Sequence, residues 1–343
     1  MIEIGIIGCG KIAQIRHLPE YAANKDAHIA GIFDLSNSRA QEVAKVYQTK
    51  AYATYKELLE DPKIEAVSIC TSNATHYEMT VEALRAGKHV LCEKPMAVTL
   101  EQCSSMVKVA EETNKYLMIG HNQRLAKAHT HAKELIEKGE IGKILTFRTS
   151  FGHSGPETWI IDEKNNWFFD KKSAAFGAMA DLGIHKTDLI QYLTGQKVSE
   201  VSAYIGTLDK KDSNEDLISV DDNAICIYKM DGGCVGTMTA SWTYYGSEDN
   251  STTLYGTKGI MHLYENPEYS IVIKKRDGTQ IFYKEENIQT NSNQTKSGII
   301  DLWVDCLKEQ KEPEISGKEV LHAMKVIFAA EEAARTGKTV LIE

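Results

Sequence analysis

Residues 2–13 read IEIGIIGCGKIA, an apolar run that breaks into a glycine-spaced turn. Ile2–Ile7 has the length and β-branched content of a buried strand. The periodicity then changes to a helical one from about Lys11 to Asn24. Between them, Gly8-Cys9-Gly10-Lys11-Ile12-Ala13 fits G-x-G-x-x-A. The small residues there each have a physical role. Gly8 permits the tight turn, Gly10 lets a pyrophosphate approach the backbone, and Ala13 lets helix and strand pack closely. The helix N-terminus then faces the phosphates, with Lys11 and Ile12 completing the loop. Asp34 ends the next strand, 21 residues past Ala13, where a carboxylate accepts hydrogen bonds from a ribose diol. A carboxylate repels a 2′-phosphate, so the pattern favours NAD. Arg39 and the Ser36-Asn37-Ser38 loop soften that preference and leave NADP open.

Outward from this stretch, strand and helix periods alternate to about residue 120. His28–Phe33, Ala66–Cys70, His89–Cys92 and Leu117–Ile119 read as strands; Ser38–Tyr47, Thr75–Ala86 and Leu100–Thr113 read as helices. Such alternation builds βαβ units and a doubly wound parallel sheet. Near residue 141 the character changes. Eight strand-like segments follow between Ile144 and Lys284, punctuated by turn signals such as Asp231-Gly232-Gly233 and Asp277-Gly278. One helical segment, Met179–Leu193, interrupts them, and two more follow at Ile299–Gln310 and Lys318–Thr336. The expected architecture is a Rossmann domain over residues 1–122 and an α+β domain over 123–343 with a large, mostly antiparallel open sheet. The C-terminal helix is expected to pack back on the first domain.

Composition bounds the function. The chain of 343 residues exceeds what one core usually serves. Its net charge of −9 gives no basic footprint for nucleic acid. No apolar stretch is long enough to cross a bilayer, and MIEIGIIGCG lacks the basic region and cleavage site of a signal peptide. Seven scattered cysteines suit reduced thiols in a cytoplasm and lack metal-type spacing, so no metal is expected.

Two more strand tips carry polar groups toward the same edge. Thr71-Ser72-Asn73 follows one strand, with His76 three residues on. Asn73 can hydrogen-bond the cofactor, cap the following helix, or do both. Val90-Leu91-Cys92 ends in Glu93-Lys94-Pro95. Pro95 fixes its own φ, restricts Lys94 to extended conformations and ends the strand's pairing. Glu93 either holds this loop or lines the nicotinamide pocket. Downstream, Asp181 and His185 stand four apart in a helical segment and so share a face.

Together GCGKIA at 8–13, TSNATH at 71–76, EKP at 93–95, GHNQR at 120–124, DLGIHKTD at 181–188, GTKGIM at 256–261 and the closing GKTVLIE carry a resemblance. The chain resembles the glucose–fructose oxidoreductase/inositol dehydrogenase/MocA family over essentially its whole length. The resemblance implies a hydride transfer between a nicotinamide cofactor and a hydroxyl or keto carbon of a sugar, sugar derivative or cyclitol. It implies Lys94, Asp181 and His185 as the catalytic set, and a homodimer or homotetramer formed through the C-terminal sheet. It also suggests a cis bond between Lys94 and Pro95. A hydride leaves a carbinol readily only if the hydroxyl proton leaves too, so the site needs a base and a donor for the developing alkoxide. His185 is the favoured base and Lys94 the polarising donor, though the residues alone leave the proton acceptor open. Asn122, Arg124 and Trp167 are further candidates for the substrate, with an interdomain ion-pair role as the alternative for Arg124. Asp188 is expected to brace the helix packing. The irregular stretch from Gly152 to Ser173, with Trp159 and Trp167, is expected to fold over the pocket or to anchor a long loop. Where relatives carry a glycine-rich run, this chain has Ala174-Ala175-Phe176-Gly177-Ala178-Met179, and Phe176 is expected to reshape the pocket. Two other readings stay open: a cofactor-sensing protein without turnover, and a glycoside-processing enzyme with transient NAD reduction.

Overall fold

A computed structural model describes residues 1–161, 166–288 and 296–343. The chain divides into two compact units. One comprises Met1–His121, Glu157–Trp167 and the described part of Asn291–Leu321; the other comprises Asn122–Pro156, the described part of Phe168–Thr290, and His322–Glu343.

In the first unit the elements run β1 (Ile2–Ile7), α1 (Leu18–Ala23), β2 (Ala27–Phe33), α2 (Asn37–Tyr47), β3 (Lys50–Ala51), α3 (Tyr55–Glu60), β4 (Ala66–Ile69), α4 (Asn73–Arg85), β5 (His89–Cys92), α5 (Leu100–Thr113) and β6 (Leu117–Ile119). The sheet has the order β3-β2-β1-β4-β5-β6, and every pairing is parallel. This is the doubly wound arrangement. Its strand order reverses between β1 and β4, where such sheets bind their ligands. Ile4, Ile6 and Ile7 are fully buried, as a central strand covered on both faces requires. Each such side chain contributes roughly 1.5–3 kcal/mol of burial.

The first helical segment is not one regular helix. Ala13–His17 forms a π-turn, closed by the Leu18 N–H on the Ala13 carbonyl. Pro19, next in line, has no N–H to continue an α-helical ladder back to this turn. Threonine caps begin other helices: Thr54 Oγ1 accepts the Glu57 N–H and Thr99 Oγ1 the Gln102 N–H.

In the second unit come α6 (Lys127–Glu137), β7 (Ile144–Gly152), α7 (Lys171–Ala174), α8 (Ile184–Thr194), β8 (Val198–Gly206), β9 (Asn223–Met230), β10 (Val235–Ser241), β11 (Thr252–Gly256), β12 (Gly259–Leu263), β13 (Ile271–Lys275) and β14 (Gln280–Tyr283). α9 (Ile299–Glu309) belongs to the first unit, where it packs on α1 and β1. There Asn24 Nδ2 donates to Asp301, and Glu20 accepts the backbone N–H and hydroxyl of Ser297. α10 (Gly317–Thr336) and β15 (Val340–Leu341) follow. The nine-stranded sheet runs β14-β13-β12-β11-β7-β10-β9-β8-β15. It is antiparallel except where β7 pairs with β10. β9 alternates buried and exposed residues, so the sheet has one covered and one open face. The helices α3 and α6, the short strands β3 and β15, and the parallel pairing of β7 with β10 go beyond what the sequence predicts.

Candidate active site

The glycine turn is shaped as its sequence demands. Gly8 has φ +92°, and a side chain there would strike the Cys70 carbonyl at 2.8 Å. Loop and β4 tip therefore touch backbone to backbone at the point where the strand order reverses. Gly10 is the opposite case: a Cβ there would meet nothing within 4 Å. That open space above the loop fits a dinucleotide pyrophosphate, which needs room beside the backbone. Gln14 Nε2 steadies the turn by donating to the Cys9 carbonyl at 2.8 Å.

Asp34 is buried, and its carboxylate organises the turn. Oδ2 accepts the Cys9 N–H at 2.7 Å, and Oδ1 accepts the Ser36 N–H at 2.8 Å and Arg39 Nη1 at 3.1 Å. A carboxylate offers about four acceptor positions, so capacity remains for a ribose hydroxyl. The Cys9 thiol is itself buried, and burial followed by the Asp34 charge pushes it up to about 12.

At the β4 tip, Thr71 and Thr75 share a hydroxyl hydrogen bond of 2.7 Å. Ser72 is the N-cap position of α4, without a side-chain cap bond, and Asn73 is buried in its first turn. His76 is 1% exposed and ties two tips together. Its Nδ1 lies 2.8 Å from the Pro95 carbonyl and Nε2 3.2 Å from the Thr71 carbonyl. Both ring nitrogens thus face main chain, which gives His76 a bracing role. Lys94 follows on a cis Lys94–Pro95 bond and is half-buried. Its backbone N–H donates to Glu93 Oε2 at 3.2 Å, so Glu93 holds the loop.

The second unit presents Asp181 and His185. Met179–Gly183 is another π-turn, running directly into α8. Its start is clamped by Asp221, whose two oxygens accept the Gly177 and Met179 N–H groups at 2.7 Å each. Burial, partly offset by those donors, pushes the Asp221 carboxyl up to about 6. Gly177 has no alternative: a Cβ would lie 1.8 Å from the Asp221 carbonyl oxygen. Trp242 is fully buried and its Nε1 donates to Asp181 Oδ2 at 3.1 Å, which fixes the carboxylate's orientation. His185 is 7% exposed, its ring 6.1 Å from that of Phe151. Behind it Lys186 is fully buried, donates to the Asn250 carbonyl at 3.1 Å, and is lowered by burial to about 7.

The remaining candidates fall into place individually. Asn122 and Arg124 lie in a 3-10 turn, Asn122–Leu125, and Asn122 is half-buried. Arg124 grips Asp188 through Nε at 2.7 Å and Nη2 at 2.5 Å. This buried fork pins the turn to α8 and stacks on Tyr192. Phe176 packs on Phe328 of α10, its ring centroid 5.6 Å away. Trp167 and Trp159 are half-buried in short 3-10 turns; residues 162–165 of that stretch lie outside the described residues. Trp242, Asp221, Arg16 and His17 escaped the sequence reading. Only Gly177, without a side chain just before the Met179–Gly183 turn, signalled that something approached it.

The family model described as an oxidoreductase family with an NAD-binding Rossmann fold matches residues 2–121. The model for the GFO/IDH/MocA C-terminal domain matches residues 129–262. The chain belongs to the GFO/IDH/MocA family of oxidoreductases. Among its relatives is the myo-inositol 2-dehydrogenase of Thermotoga maritima, 26% identical over 100% of this chain and 99% of that protein. The levoglucosan dehydrogenase of Pseudarthrobacter phenanthrenivorans is 31% identical over 62% of this chain and 58% of its own. The crystal structure of an aldose-aldose oxidoreductase from Caulobacter crescentus, complexed with glycerol, shares the fold with a TM-score of 0.84 at 24% identity, covering 99% of both chains. In this GFO/IDH/MocA chain the glycine turn, Asp34 and Lys94 fall within the NAD-binding match, and Asp181 and His185 within the C-terminal one. No helix among the described residues is long and apolar enough to cross a membrane.

Proposed function

We propose that this oxidoreductase interconverts a carbinol and a carbonyl on a polyhydroxylated ring, a sugar, sugar derivative or cyclitol, with NAD(H). The observation that carries the reading is the Lys94 tip: an ammonium delivered by β5, one strand from the β4 tip that touches the glycine turn. The relatives named for inositol, levoglucosan and aldose chemistry point to the same substrate class.

In the oxidation direction the nicotinamide, when bound, supplies the hydride acceptor. His185 takes the hydroxyl proton, Lys94 donates a hydrogen bond to the oxygen as charge develops, and Asp181 contacts substrate or orients His185. Asp181 suits that role because the Trp242 N–H already fixes one of its oxygens. Asn122 and Trp167 are assigned to substrate hydroxyls and ring faces. Arg124 is assigned to substrate with its guanidinium held in place by Asp188. Gly8, Gly10, Lys11, Ile12, Ala13, Asp34, Thr71, Ser72 and Asn73 are assigned to the cofactor.

Lys94→Ala tests this reading: turnover over a panel of cyclitols and sugars should collapse while NADH binding persists. Retained turnover would overturn it. Tighter binding of NADPH than NADH would overturn the assignment of Asp34.

The protein is further proposed to assemble through the open face of the nine-stranded sheet. Tyr204, Ile225, Ile227 and Val235 are 59, 52, 53 and 41% exposed there. Strand register places Tyr204 opposite Ile225 on that face. An apolar surface of this kind is usually covered. Ile225→Lys with Ile227→Lys should lower the mass measured by light scattering to that of one chain. The buried, unbridged cysteines suit a cytoplasmic setting.

A further inference from the structure

Below the Lys94 tip lies a buried charged cluster that the reaction proposed above does not use. Glu93 is 5% exposed, Arg16 8% and His17 0%. The Glu93 carboxylate divides its oxygens. Oε1 accepts His17 Nε2 at 2.9 Å and has Arg16 Nη1 at 3.8 Å. Oε2 accepts the Lys94 backbone N–H at 3.2 Å. The Glu93 N–H makes the last rung to the Ile69 carbonyl at 3.0 Å. Lys94 thus stands just beyond the β4–β5 ladder, and Pro95 after it has no N–H.

Arg16 and His17 reach Glu93 from the π-turn at the start of the first helical segment. Such turns, with one residue more than an α-helical turn, recur at functional sites. The carboxylate is also confined from behind. A Cβ on Gly120, the residue after β6, would lie 3.0 Å from Oε2 and would press on the carboxylate. The groups facing the carboxylate are His17, Arg16 and Lys94, with the Cys70 and Cys92 thiols and His76 close enough to feel its charge. Burial alone would push this carboxyl up, but the His17 hydrogen bond and the charges of His17, Arg16 and Lys94 outweigh it and hold it at about 2. Glu93 therefore stays an anion and a full acceptor on both sides.

We propose that His17 and Arg16 are positioning residues for Lys94: acting through the Glu93 carboxylate, they fix the backbone from which the lysine reaches the reacting oxygen. This rests on the reading that Lys94 polarises that oxygen. It assigns the π-turn a share in the reaction distinct from the glycine turn's share in holding the dinucleotide.

The test compares His17→Leu with His17→Gln, whose amide restores an N–H donor. His17→Leu should lower kcat about 10- to 100-fold, the scale of a small misplacement of a reacting group, with NADH affinity unchanged. His17→Gln should recover most of that loss. A second readout needs no turnover. A carboxyl with a depressed pKa lends stability above its unfolded value that is lost as pH falls through its folded value. Without His17 the folded value rises, so acid unfolding of His17→Leu should begin at higher pH than in wild type or His17→Gln. Gly120→Ala, pressing on Oε2 from the other side, should reproduce the kcat loss if His17→Leu does not fold. Wild-type kcat in folded His17→Leu, or a loss of NADH affinity that His17→Gln does not rescue, would overturn the proposal. If wild type turns over no sugar or cyclitol, the reading of Lys94 falls. The positioning claim is then decided by the crystal structure of the His17→Leu protein, where an unmoved Lys94 backbone would refute it.

Discussion

Replacing Asp221 by asparagine tests the clamp that starts the Asp181–His185 segment. The wild-type carboxylate accepts two N–H groups, one on each oxygen, in a buried site. Burial raises its carboxyl from 3.8 to about 6, which the two donors only partly offset. A folded value above the unfolded one means stability that is full below pH 4 and drains away as pH rises toward 6. The total is about 3 kcal/mol, at about 1.36 kcal/mol for each tenfold change in proton affinity. Asparagine cannot titrate, and its amide oxygen can accept only one of the two N–H groups. The variant should therefore lack this pH dependence while losing one hydrogen bond to a charge, about 1.5–3 kcal/mol, at neutral pH. Urea unfolding of both proteins from pH 4 to pH 7.5, followed by tryptophan fluorescence, isolates the effect because other groups cancel in the difference. The wild-type curve should fall relative to the variant by about 2 kcal/mol across that range. Parallel curves would refute the account, because they would mean that Asp221 titrates alike in the folded and unfolded chain.

Trp242→Phe keeps an aromatic ring against Phe168 and Phe169 but removes the N–H on Asp181. It should lower kcat/KM about tenfold or more, with circular dichroism unchanged; full activity would show that Asp181 is oriented otherwise. Ala175 sits at φ +67°, a conformation costly for any residue with a Cβ. Ala175→Gly should stabilise the protein by about 1 kcal/mol in urea unfolding, and destabilisation would contradict the strain argument.

The two π-turns show how far sequence reading reaches. Residues 11–24 and 179–193 carry helical periodicity, and helices are there, but period alone does not show where an i→i+5 step replaces i→i+4. Pro19 marked the first such step; the second has no comparable marker. α6 went unread although its buried Ala128, His129, Ala132 and Leu135 recur at helical spacing. β3 and β15 have two residues each, too few for any period to register. Phe176 packs its ring on Phe328, a partner 152 positions away that no local pattern specifies.

The parallel sheet and its glycine turn were written in the sequence, because they depend on local properties: alternating periods, and glycines where backbone must approach backbone or ligand. The strand tips that carry Thr71 and Lys94 and the helical segment that carries Asp181 were equally legible. What holds those residues in place was decided only by folding. Glu93 is an ion because Arg16 and His17 arrive beneath it, and Asp181 is oriented because the Trp242 N–H reaches it. Charge and hydrogen bonding act through space over a few ångströms, and distance along the chain carries no record of them.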